Sequence, residues 1–142
     1  MKNLLKLTGT VLFVGLIASF MPAIGCTNFL VTKSASQNGS TMITYAADAH
    51  VIYGELCFWP AADHEPGSML DVYEWDTNKY LGQIEQVPHT YSVVGNMNEH
   101  QLTIGETTYG GRSELRDTTG IIDYGSLIYI TLQRSKTARE AI

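Results

Sequence analysis

Cys26 is the residue of this chain best placed to act as a nucleophile. It follows Ala23-Ile24-Gly25, and the small Ala23 and Gly25 flank a cut before Cys26 in the pattern that a signal peptidase reads. Cleavage there would leave a cysteine with a free α-amino group. Such an amine titrates at about 7.7–8.0, close to working pH, so it can take the thiol proton without a separate histidine. Thiolate is the attacking species, and an adjacent base raises its share. The same four residues also approximate a lipobox, in which the sulfur receives a diacylglycerol and the amine is acylated. On that reading Cys26 is an anchor, and from these residues alone both readings stand.

Two further residues are candidates for the same chemistry. Asp48 follows the second of two strand-like runs that pair as a hairpin, so the pairing returns it toward the start of the first run, where Cys26 lies. Taken singly, an aspartate there is an ordinary loop or capping residue. Asn98 sits in the short connection Asn96-Met-Asn-Glu-His-Gln101, where asparagine is common because it tolerates left-handed backbone. From that place its side-chain amide could also donate to an oxyanion. The histidines His50, His64, His89 and His100 show no paired-ligand spacing, so no metal is assigned. Gly105 and Gly110-Gly111 lack the context of a phosphate loop, and no cofactor is expected.

The elements that must position these residues are mostly strands. Cys26 to Val31 carries β-branched or aromatic Thr27, Phe29 and Val31, the turn signal Asn38-Gly39 follows, and Thr41 to Tyr45 is its partner. Further strand-like runs are 51–59, 70–75, 80–87, 91–95 and 102–108, with 61–68 a loop. Asp123 is placed to cap a helix reaching Arg134, with Tyr124, Leu127, Ile128 and Thr131 on one face. By periodicity alone 127–132 fits a buried strand equally well. Thr137 and Glu140 have the spacing of a capping box that opens a second helix just before the chain stops at Ile142, which suggests an N-terminal piece of a longer protein, inactive alone.

Residues 1–25 read as a signal peptide: Lys2 and Lys6, an apolar run from Leu7 to Phe20, then Met21-Pro22. The run is too short for a stable membrane span, so the expectation is export to the periplasm, cell surface or medium. The 26–142 remainder suffices for one small core. Its acidic excess and lack of a basic stripe make nucleic acid an improbable partner. Cys26 and Cys57 are expected to be free thiols, since pairing would inactivate a nucleophile at Cys26.

Taken together, Cys26-Thr27-Asn28, Asn38-Gly39-Ser40, Asp48, Gly95-Asn-Met-Asn98-Glu99 and Ile104-Gly-Glu-Thr-Thr108 resemble the opening of a C69-family dipeptidase. The stretch from Asp123-Tyr-Gly-Ser-Leu127 to Ile142 continues the resemblance, which covers nearly everything after residue 25. These enzymes are similar to bile-salt hydrolases and penicillin V acylases. The resemblance implies an α+β fold, the N-terminal part of an αββα N-terminal-nucleophile sandwich. It implies Cys26 as nucleophile, Asp48 holding its amine and Asn98 lining the oxyanion hole. It also implies an exported cysteine dipeptidase acting on short peptides through a thioester, with no cofactor. The alternatives are an acylase or amidase of the same superfamily, or a lipid-anchored, non-catalytic surface protein. One departure stands out: where the acylase branch has an arginine, three places before the aspartate, this chain has Tyr45.

Overall fold

The computed structural model describes residues 26–47, 54–107 and 111–142. The expected signal peptide and Asp48 lie outside the described residues. The first strand, β1 (Thr27–Val31), pairs antiparallel with β2 (Met42–Ala46), with Thr27 opposite Ala46 and Val31 opposite Met42. The connection between them holds a 3-10 turn at Lys33–Ala35 and the expected Asn38-Gly39 corner. There the Asn38 Oδ1 accepts from the Ser40 amide at 3.2 Å and the Ser40 hydroxyl at 2.7 Å, while Gly39 takes φ +73°. That left-handed backbone is open to glycine without the steric cost of a Cβ.

Among the described residues seven short strands follow: β3 (Phe58–Trp59), β4 (Ala62–Asp63), β5 (Met69–Tyr73), β6 (Tyr80–Glu85), β7 (His89–Thr90), β8 (Val93–Val94) and β9 (Met97–Asn98). They form the sheets β3-β8-β9, β4-β7 and β5-β6, and every pairing is antiparallel. Among the described residues two α-helices follow the strands, α1 (Tyr124–Leu132) and α2 (Ala138–Ala141). Among the described residues the strands come first and the α-helices last, compatible with the expected α+β fold.

Several boundaries differ from the sequence expectation. The expected loop 61–68 contains β4, and the expected connection 96–101 contains β9, with Asn98 as a strand residue. In the described part of the expected strand 102–108, residues 102–107, one isolated bridge forms, Met97 to Thr103. Its apolar residues are β-like, but its described backbone groups are shared between the main chain and the side chains of Asn96 and Asn98, without a continuous ladder. The Ile104 amide donates to the Asn96 carbonyl at 3.1 Å, and Asn96 Nδ2 donates back to the Ile104 carbonyl at 2.8 Å.

The core is small: Val93, Leu102 and Leu132, with Trp59, Ile104, Ile128 and Ala141 packed against it. Asp123 caps α1 as expected, its Oδ1 accepting from the Ser126 amide at 2.9 Å and its Oδ2 from the Trp75 amide at 2.6 Å. Burial pushes the Asp123 carboxyl up, but these hydrogen bonds outweigh it and hold the group below the usual carboxylate range. The buried face of α1 is not the expected one. Gly125, Ser126, Ile130 and Leu132 are buried, whereas Tyr124 and Leu127 are exposed. The reason is Trp75: a Cβ on Gly125 would lie 2.5 Å from its Cγ, so the helix turns its glycine side to the indole. Next to it Trp59 stacks on Tyr129, centroids 4.8 Å apart and planes within 4°. At α2 the Thr137 hydroxyl accepts from the Glu140 amide at 3.3 Å, and Glu140 reaches back to the Lys136 amide at 2.7 Å. Among the described residues no helix is long and apolar enough to cross a membrane.

Candidate active site at the head of the first strand

Strand periodicity decides what surrounds Cys26. Side chains alternate along β1, so Cys26 and Asn28 share a face. Directly opposed residues on paired strands also share a face, which adds Tyr45, the partner of Asn28, and Ile43, the partner of Leu30. The segment 104–107 lies across this face. At Gly105 the backbone comes close, and a Cβ there would sit 2.9 Å from Ile43 Cδ1 and 3.7 Å from Tyr45 Cβ. The missing side chain lets Glu106 reach the strand pair.

Glu106 is tied there twice. The Tyr45 hydroxyl donates to its Oε2 at 2.7 Å, and Asn28 Nδ2 donates to its backbone carbonyl at 2.7 Å. Asn28 Nδ2 also reaches the Thr107 hydroxyl, while Asn28 Oδ1 is buried with no hydrogen-bond partner among the described residues. Burial pushes the Tyr45 hydroxyl far above its ordinary range; the hydrogen bond to Glu106, the charge on Glu106 and the nearby Cys26 sulfur add to it. Tyr45 therefore stays a neutral donor beside the cysteine. Tyr124 is pushed up to about 12, by burial first, then by its hydrogen bond to Asp76 and the charges of Asp76, Asp123 and Glu106.

Cys26 itself is half-buried, and both Cys26 and Cys57 are free thiols. Continuing the ladder one step beyond Thr27 and Ala46 sets Cys26 opposite Ala47, the residue before Asp48. Asp48 lies outside the described residues. Asn98 is described, and its contacts are those of a staple. The residue is 4 % exposed, and its Nδ2 donates to the carbonyls of Leu132 and Ser135, both at 2.7 Å. Its Oδ1 accepts from the amides of His100 at 3.0 Å and Leu102 at 3.1 Å. Both amide hydrogens thus hold the C-terminal end of α1 against β9.

Sequence reasoning singled out Tyr45 only as a departure from the acylase branch, and gave Asn28 and Glu106 no role beyond their place in the quoted motifs. Asn28 was legible from alternation, two residues after Cys26 on a strand. Glu106 had only its neighbour Gly105 as a signal, since a close approach leaves no periodic trace. Of the described histidines, His64 bonds the Thr90 hydroxyl at 3.0 Å and His89 the Asp63 carboxylate at 2.6 Å. Among the described residues no three His, Cys, Asp or Glu side chains are grouped to hold a metal ion. An open cleft of about 1330 Å³ lies at the other end of the hairpin, between Val31, Met42 and Ile43 on one side and Met97, Leu102 and Ala138 on the other.

Comparison with known proteins gives one family. The model of peptidase family C69 matches residues 52–142, a span that holds Asn98 and Glu106 but neither Cys26 nor Asp48. No curated protein and no solved structure matches the chain.

Proposed function

The chain belongs to peptidase family C69, and from that premise we propose that it is an exported cysteine dipeptidase with Cys26 as its N-terminal nucleophile. Family membership makes it a hydrolase of the peptidase type. The finer reading has one main structural support: Cys26 heads β1, half-buried, on the face that Tyr45 and Glu106 occupy.

After cleavage behind Gly25, the α-amine of Cys26 takes the thiol proton, and the thiolate attacks the scissile carbonyl carbon. The tetrahedral intermediate collapses as its carbon–nitrogen bond breaks, and the amine returns the proton to the departing amino group. A thioester to Sγ remains, which water hydrolyses with the same amine as base. Asp48 is assigned to hold that amine. Asn98 is assigned to the oxyanion; serving there requires one of its two hydrogens to leave the carbonyls of Leu132 or Ser135. The fold assigned to the complete protein is the αββα sandwich of N-terminal-nucleophile hydrolases. The runner-up is an amidase of the same superfamily cutting a non-peptide amide.

Turnover of dipeptides by the complete mature protein tests this reading, with the two thiols removed in turn. Cys26→Ala is expected to abolish hydrolysis, and Cys57→Ala to retain it. Activity that survives Cys26→Ala would remove the nucleophile from the proposal.

A further inference from the structure

Tyr45 has no task in the hydrolysis above, yet the hairpin register sets it beside the nucleophile. It is the paired partner of Asn28 and so shares the Cys26 face. Cys26 falls one step further along, opposite Ala47, which makes Cys26 and Tyr45 diagonal neighbours. Diagonal positions are about 7–8 Å apart, within reach of an aromatic side chain. Cys26 stands directly ahead of β1, so the ladder does not fix its own backbone dihedrals. The Tyr45 hydrogen goes to Glu106 Oε2 at 2.7 Å, which sets the rotation of the hydroxyl. The oxygen can still accept a hydrogen, and among the described residues no group donates to it. Burial, followed by the hydrogen bond and charge of Glu106, holds this hydroxyl far above its ordinary range. It therefore stays neutral while a group beside it gains and loses a proton.

Removal of the segment before Cys26 brings such a group to this corner. The α-amine has hydrogens to donate in both of its states, three as ammonium and two as amine. We propose that the Tyr45 oxygen accepts one of them and holds the Cys26 α-amine over the thiol, which makes Tyr45 a positioning residue for the acid–base step. The bonds then run from the amine to Tyr45 Oη, and from the Tyr45 hydroxyl to Glu106 Oε2. No hydrogen bond of the structure has to break for this, in contrast to the service asked of Asn98. When the amine takes the thiol proton its bond to Oη strengthens, because a charged donor binds its acceptor harder. When it returns the proton to the departing amino group, the weaker bond keeps the nitrogen aimed. Tyr45 itself transfers no proton. The inference rests on the reading of Cys26 as a nucleophile with a free amine.

The rival role for Tyr45 is structural, the anchoring of Glu106 alone. That role acts alike whether residue 26 carries an amine or an amide, and this difference is the test. In the complete mature protein carrying Cys26→Ser, so that no thiol titrates there, the pKa of the α-amine is read by NMR with and without Tyr45→Phe. The substitution keeps the ring and removes one oxygen. An unfolded α-amine titrates at about 7.7–8.0, and an acceptor for the ammonium raises that value in the folded chain. Tyr45→Phe is therefore expected to lower it by about one pH unit. A raised amine pKa adds stability that is present below about pH 7.7 and lost as the pH rises through the folded value. The stability lost in Tyr45→Phe should then be greater at about pH 6 than at about pH 10 in the mature chain. In a chain that keeps residues ahead of position 26 the two losses should be equal. With Cys26 intact, kcat for alanyl-alanine is expected to fall about 10–100-fold in Tyr45→Phe, with KM little changed. An amine pKa or a kcat that stays put in folded Tyr45→Phe would overturn the proposal. A crystal structure of the mature protein needs no variant: Cys26 N and Tyr45 Oη should lie within about 3.2 Å, and a gap beyond about 4 Å would equally overturn it. Absence of turnover by the wild type would sink the peptidase reading and leave the amine pKa to judge Tyr45 by itself.

Discussion

Asn98 can be a turn residue, a staple or a catalytic donor, and its amide cannot do the last two with the same hydrogen. In the structure its two hydrogens go to the carbonyls of Leu132, the last residue of α1, and of Ser135 just beyond it, and its oxygen takes two backbone amides. Truncation would leave these buried groups without partners, at about 1–3 kcal/mol for each group that water does not reach. Asn98→Ala is therefore expected to lower stability by about 2–4 kcal/mol, read as a fall in the denaturant midpoint. An oxyanion donor lost without structural damage would behave differently, lowering kcat by about 10²–10³ at unchanged stability. Measuring both quantities on one variant separates the roles. A stable variant with crippled turnover would show that the contacts to Leu132 and Ser135 are expendable.

At the scale of elements, the helix α1 is where local signals and packing part company. Asp123 as N-cap was legible because a capping side chain acts within its own turn, on the amide of Ser126. The buried face was not legible, because a bare glycine site against an indole has no periodicity. Gly125→Ala would ordinarily favour a helix by about 1 kcal/mol. Here the new Cβ would meet Trp75 Cγ at 2.5 Å and Cβ at 2.7 Å, both near the root of that side chain and unable to swing away. The clash wins. Overpacking of this kind costs about 1–3 kcal/mol, so Gly125→Ala is expected to lower the melting temperature despite the better propensity. A rise would mean that Trp75 has room to retreat. The β1–β2 hairpin shows the opposite case: Asn38-Gly39 and the β-branched alternation announced it, and its register followed. The expected strand 102–108 has a β-like composition, but its described part, 102–107, is held partly by the side chains of Asn96 and Asn98, which no pattern of polarity reveals.

For the whole molecule, the chain carries a cysteine directly ahead of its first strand, and the proposed chemistry requires that the segment before Cys26 be removed. Peptidase family C69 accounts for residues 52–142, and the face shared by Cys26, Asn28, Tyr45 and Glu106 links the unmatched strand to that matched region. Of this arrangement the sequence made the cysteine ahead of the first strand legible, since that signal is local. The contact between Asn28 and Glu106, separated by 78 positions, exists only in the folded chain.

Catalysis by Cys26 requires a free amine and a free thiol on one residue, whereas lipid anchoring consumes both. The deciding measurement is the intact mass of the N-terminal peptide of the mature protein, before and after iodoacetamide at neutral pH. The account predicts a chain that begins at an unmodified Cys26, gains one carbamidomethyl group there, and loses peptidase activity in proportion to that gain. A diacylglyceryl group on Cys26, or full activity with the thiol alkylated, would contradict it.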